Sequence, residues 1–217
     1  MSNLEAVRAS ASRAPSARLL RFQPAPIVVL AALTLSTLLV VHMGLRFMLT
    51  PSLPLGVYRT VNGPPARGTI VMACLPAGAA RLALERGYLW HGDCPGGAVP
   101  LGKAVLAVAG DTVTLGAQGV SVNGRAVPNS RPHERDHQGR PLEHYPYGSH
   151  VLGPGELWLF SPYHPLSFDS RYFGPIPNNA VLSRLAPLWT WPPTHAIAIQ
   201  MRPDRQGWQR HQPVALR

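Results

Sequence analysis

The sequence predicts a mainly β domain behind one N-terminal transmembrane helix, and three observations carry that reading. A stretch without charged residues runs from Phe22 to Leu45 and is strongly apolar over Ile27–Val41. Beyond it, Val57–Val61, Thr69–Ala73, Lys103–Val108, Thr112–Leu115 and Glu156–Ser161 are short and rich in branched or apolar residues, the signature of strands. Asn123-Gly124 stands between two further short runs, Gly119–Val122 and Arg125–Val127, and Asn-Gly is the strongest local hairpin signal.

The elements follow in chain order. Residues 1–25 are rich in Ala, Ser, Arg and Pro and are expected to be disordered in the cytoplasm. Residues 26–46 are expected to form the anchor, since a spanning helix needs about 20 residues. Arg8, Arg13, Arg18 and Arg21 precede it and only Arg46 and Arg59 follow closely, so the positive-inside rule places residues 47–217 in the periplasm. A cleaved signal peptide is the rival reading, but no small-x-small cleavage site follows the apolar run. Ala79–Arg86, stopped by Gly87, is the one soluble helix expected. Cys74 and Cys94 bracket it. In an oxidising compartment they would form a disulfide; two buried free thiols are the alternative.

The 217 residues carry a formal charge of +10. The arginines are dispersed and no nucleic-acid-binding pattern appears, so basic residues near the anchor are read as facing anionic lipid, with no nucleic-acid partner. His133 and His137 have i, i+4 spacing, but Pro132 and Gly139-Arg140-Pro141 confine any helix there. No metal or cofactor is expected, and residues 128–150 read as a solvated loop over the cleft. In the Pro187–Arg217 tail, Trp189, Trp191 and Trp208 are expected to pack across the sheet, the other possibility being a membrane interface.

Two residues point to chemistry. Ser52 lies between Pro51 and Pro54, with Thr50 and Leu53 biased to extended geometry by the prolines that follow them. Its hydroxyl is thereby held on a stiff ribbon, and its backbone N–H is free to point at a substrate oxygen. A proline-rich turn is the plainer reading of the same stretch. Lys103 is the one lysine among 20 basic residues. Arginine stays protonated near neutral pH, whereas a lysine buried in an apolar run such as Pro100–Val108 can lose its proton. Chance in an arginine-rich composition is the alternative. Together Ser52 and Lys103 suggest a serine–lysine dyad.

Ser52-Leu53-Pro54-Leu55-Gly56-Val57-Tyr58, then Gly102-Lys103 leading to Gly110-Asp111-Thr112-Val113, then Ser167-Phe168-Asp169-Ser170-Arg171-Tyr172-Phe173-Gly174-Pro175 resemble the successive boxes of the type I signal peptidases. The S-L-P-x-G-x-Y form, with Leu53 in place of the usual methionine, resembles the TraF-type branch that matures conjugative pilins. The resemblance implies a curved, mostly antiparallel β fold and an acyl-enzyme on Ser52 with Lys103 as base. It also implies oxyanion donors at the Ser52 N–H and Thr50, Ser167 (or less directly Ser170) orienting the lysine, and a structural ion pair of Asp169 with Arg171. The implied partner is a pilin precursor or other exported protein tethered in the inner membrane. A general signal peptidase and a non-catalytic component of a secretion apparatus are the competing readings.

Overall fold

A computed structural model of the chain describes residues 25–191. The expectations for residues 1–24 and for Trp208 lie outside the described residues. The chain divides between Leu39 and Val40, most of the first helix forming one unit and everything after it a second.

Helix α1 (Ala25–His42) carries a proline in its first turn, where a missing N–H costs nothing. The Thr34 and Thr37 hydroxyls donate to the carbonyls of Ala31 and Leu33, so two of its few polar groups are satisfied within the helix. Gly44, at φ +65°, lies two residues past its end. Eighteen residues at 1.5 Å each rise about 27 Å, against a hydrocarbon core of about 30 Å. No helix among the described residues is long and apolar enough to cross a membrane. The charge-free run begins at Phe22, partly outside those residues. Leu45 and Arg46, expected inside the anchor, belong instead to a strand.

That strand, β1 (Leu45–Met48), pairs antiparallel with β2 (Gly56–Val61). Next come β3 (Ile70–Ala73), helix α2 (Ala77–Glu85) and β4 (Leu101–Val108). A smaller group follows: β5 (Thr112–Gly116), β6 (Gly119–Val122), β7 (Arg125–Ala126) and β8 (Gly148–Val151). The last described elements are β9 (Glu156–Phe160), the short helix α3 (Ser170–Phe173), β10 (Ile176–Pro177) and the ten-residue β11 (Val181–Thr190). Among the described residues all strand pairs are antiparallel, in a seven-stranded sheet ordered β1-β2-β11-β3-β4-β9-β10 and a four-stranded sheet ordered β7-β6-β5-β8. The mainly β, antiparallel fold is the one expected. Asn123 and Gly124 both have positive φ, as a two-residue hairpin turn requires.

The core has three parts. Leu106, Trp158 and Phe160 of the large sheet pack against Val113, Leu115, Val120 and Val122 of the small one. Val105, Leu157 and Leu159 face the other way, onto Val71, Ala73 and Ile176. The third part gathers around α2, where Leu75, Ala80, Ala83, Ala98 and Leu101 are buried with Tyr88, Leu89, Phe168 and Phe173 against them. A disulfide joins Cys74 to Cys94 and closes this excursion between β3 and β4.

Two further regions differ from expectation. The 128–150 loop is not merely solvated. Asp136 is buried, takes the Tyr88 hydroxyl at 2.6 Å and Arg140 Nε at 2.7 Å, and lies 3.5 Å from Arg86 Nη1. Burial alone would raise its pKa, yet these donors hold it well below the usual carboxylate range. The tail, expected to pack across the sheet, does supply a strand. Its two described tryptophans nevertheless lie outward, Trp189 58% and Trp191 61% exposed and edge to face with each other at 4.7 Å.

Candidate active site

Ser52 lies on the ribbon between β1 and β2, and that ribbon is fixed by its carbonyls. Ser161 Oγ, just past β9, donates to the Ser52 carbonyl at 2.6 Å. Tyr58 Oη donates to the Pro54 carbonyl at 2.8 Å, and the Trp191 N–H to that of Leu55 at 2.6 Å. Tyr58 is fully buried, and its hydroxyl is pushed up to about 12 by burial and by Tyr163, so it stays a donor. Two glycines allow the ribbon its place. At Gly56, φ +153°, a Cβ would lie 2.1 Å from the Trp189 carbonyl oxygen. At Gly102 a Cβ would lie 2.8 Å from Leu53 Cδ1, so the side chain of the residue after Ser52 packs closely onto β4 at this glycine.

Lys103 follows Gly102 on β4, opposite Val71 of β3, and is only 3% exposed. Burial lowers its ammonium pKa to about 8; the negative field of Asp169 opposes that shift and the positive field of Arg171 adds to it. His164 feels the Lys103 charge in turn, and its own pKa is lowered by burial and by that neighbour.

The segment from Ser167 to Arg171 completes the site. Ser52 Oγ and Ser167 Oγ lie 3.2 Å apart, in hydrogen-bonding contact across 115 residues of sequence. The Ser167 N–H donates to the His164 carbonyl at 3.1 Å. Ser170, the weaker candidate for the same role, has its hydroxyl occupied by the Leu159 N–H at 2.9 Å. Asp169 and Arg171 are both fully buried and form a two-point ion pair, Nε to Oδ1 at 2.8 Å and Nη2 to Oδ2 at 2.9 Å. The remaining Arg171 donors reach the carbonyls of Ser167 and Arg131, both at 3.0 Å.

The predicted residues thus separate by what they touch. Ser52 and Ser167 are brought into direct contact. Among the hydrogen bonds of the described residues, none joins Lys103 to either serine, and Lys103 is linked to them through the Gly102–Leu53 approach and the charges of Asp169 and Arg171. Thr50 is exposed, with its carbonyl 3.5 Å from the Leu53 N–H and its hydroxyl without a partner among the described residues. Tyr58 and Ser161 hold the ribbon, roles that the sequence alone does not assign. Tyr58 carried a signal as the last residue of the first box; Ser161 carried none.

The family model described as signal peptidase, peptidase S26, matches residues 20–190. The plasmid transfer protein TraF of Escherichia coli is 40% identical over 149 residues, which is 68% of this chain and 84% of that protein. A probable conjugal transfer protein TraF of Sinorhizobium fredii is 44% identical over 153 residues, 69% of this chain and 79% of that protein. Among solved structures, a signal peptidase I from Enterococcus faecalis V583 is 15% identical, covering 58% of this chain and 100% of that one with a TM-score of 0.34.

Proposed function

The chain belongs to the peptidase S26 family of signal peptidases, and from that premise we propose that it is a Ser52–Lys103 endopeptidase maturing a conjugative pilin precursor. The observation that carries the reading is the pairing of two departures from ordinary packing. A serine hydroxyl is held by a fixed ribbon against Ser167, and the chain's one lysine is buried on β4, next to the Gly102 that meets Leu53, with its pKa lowered to about 8. The conjugal transfer names of the relatives supply the setting.

In this reading neutral Lys103 takes the Ser52 Oγ proton as the oxygen attacks the scissile carbonyl. The tetrahedral oxyanion is met by the Ser52 N–H and the Thr50 hydroxyl, neither of which has another partner among the described residues. Collapse breaks the C–N bond, and the leaving amine takes the proton from Lys103. Ser167 steadies Ser52 Oγ, while Asp169 with Arg171 fixes the main chain that carries Ser167. Water, or the amino terminus of the same pilin, then releases the acyl group. A tethered amine competes well because its effective concentration can reach about 10⁵ M.

The same reading makes the protein an inner-membrane enzyme with its N-terminus in the cytoplasm and residues 47–217 in the periplasm. The excess of arginines before α1 supports that topology, as does the disulfide, a bond rare in reducing compartments. Ser52→Ala and Lys103→Arg should each abolish pilin processing while leaving the protein in the membrane fraction. Full processing by Lys103→Arg would remove the general base. A broad loss of exported-protein maturation in cells lacking the gene would favour a general signal peptidase. Intact mass separates the two products, since a cyclic pilin is one water lighter than the linear chain and has no free amino terminus.

A further inference from the structure

The disulfide-closed excursion touches both halves of the site, and neither contact involves a reacting group. On one side it buries Leu101, two residues before Lys103 on β4. On the other it holds Phe168, the residue between Ser167 and Asp169. The Phe168 ring lies 5.3 Å from that of Tyr88 in the excursion, 5.7 Å from Tyr172 and 5.5 Å from Phe173. Tyr88 is itself fixed, because its hydroxyl donates to Asp136 at 2.6 Å and Asp136 is gripped by Arg140. Tyr172 is fixed as well, since its hydroxyl accepts from the His133 N–H at 3.1 Å. Phe168, partly buried, therefore lies against two rings, Tyr88 and Tyr172, that are both fixed by hydrogen bonds to the 128–150 loop.

Its chain neighbours face the site. Ser167 meets Ser52, and the Asp169 charge reaches Lys103. The Ser167 main chain is held by hydrogen bonds at His164 and Arg171, and Phe168 supplies the side-chain grip next to them.

We propose that Phe168, held by the Cys74–Cys94 excursion through Tyr88, is a positioning residue for the Ser167–Ser52 contact, so that the disulfide governs turnover as well as stability. The inference rests on the serine-peptidase reading given above. Phe168 touches no reacting atom. Its effect runs through Ser167, and displacements on the order of 1 Å can lower rates about 100-fold.

The test uses the full-length protein in detergent micelles, with p-nitrophenyl acetate as an acylating probe. Intact mass counts the acyl groups on Ser52, with Ser52→Ala as background. Phe168→Ala should acylate every molecule in the end, at a maximal rate lowered about 10- to 100-fold. The half-saturating probe concentration should stay put, and Phe168→Leu should recover most of the rate. The Cys74→Ser/Cys94→Ser pair should be slowed alike, and adding it to Phe168→Ala should cost little more, because both act through one contact. Trp90→Ala, on the same excursion but 80% exposed, should behave as wild type. Where Phe168→Ala does not fold, Tyr88→Ala removes the same grip from the excursion side and should be slowed likewise. An unchanged rate in Phe168→Ala would overturn the inference, as would a fall in the number of molecules acylated at an unchanged rate. Fully multiplicative effects of the disulfide and Phe168 would overturn it too. If wild type is not acylated at Ser52 at all, the serine-peptidase reading fails and takes this inference with it.

Discussion

Two buried cations sit close to the same segment and are treated in opposite ways. Arg171 is fully buried, with its guanidinium bonded to both Asp169 oxygens and to the carbonyls of Ser167 and Arg131. Lys103 is 3% exposed and makes no side-chain hydrogen bond among the described residues. A buried charge that is fully bonded is structural, and removing it leaves its partner uncompensated. A buried lysine without partners is driven towards its neutral form, which has little structural use and is what a general base requires. The contrast separates a framework residue from a chemical one within a single region.

The largest expected effect breaks the chemical side of the contrast. Lys103→Arg keeps a positive charge but cannot shed its proton, and should lower the acylation rate of Ser52 by about 10²–10⁴-fold in stopped-flow or mass-resolved assays. On the structural side, Arg171→Met strands the Asp169 carboxylate in the core. It should destabilise by about 3–5 kcal/mol in denaturant unfolding followed by fluorescence. Lys103→Met should act with the opposite sign, abolishing activity while raising stability at pH 7 by up to about 3 kcal/mol, the free energy of a pKa lowered from 10.5 to about 8. Between pH 8 and 10.5 the unfolded wild-type chain binds more protons than the folded one, so wild-type stability rises with pH and the gap to Lys103→Met closes. A gap constant across that window would contradict the burial of a titrating amine. The smallest effect sharpens the contrast at its border. Ser167→Ala removes one neutral hydrogen bond to Ser52 Oγ and should slow acylation by about tenfold, with melting temperature nearly unchanged.

Much of this arrangement could be read in the chain itself, because strands declare themselves by composition and the Asn123-Gly124 turn by its φ requirement. The two cysteines were legible for a similar reason, as they bracket one compact excursion. Strand β1 was hidden because Leu45, Phe47 and Met48 continue the apolarity of α1 without a change of pattern. Strand β11 was hidden by Pro187, which is accommodated where its register against β2 shifts between Pro187 and Trp189. The buried Asp136 hub could not be seen, since its partners Arg86 and Tyr88 lie just past α2, some fifty residues earlier. At the site, Ser52 and Lys103 stood out by the prolines around one and the rarity of the other. Ser161 did not, because a serine just past a strand looks like any other until its hydroxyl is seen on the Ser52 carbonyl.

The central claim, that a neutral Lys103 activates Ser52, is tested most directly by the pH dependence of Ser52 acylation in the intact protein under single-turnover conditions. The rate should climb with pH through a single ionisation near 8, the value to which burial lowers the lysine, and reach a plateau above it. Lys103→Arg should show neither the climb nor the plateau. A rate independent of pH from 6 to 10, or a climb retained when Lys103 is replaced, would contradict the claim.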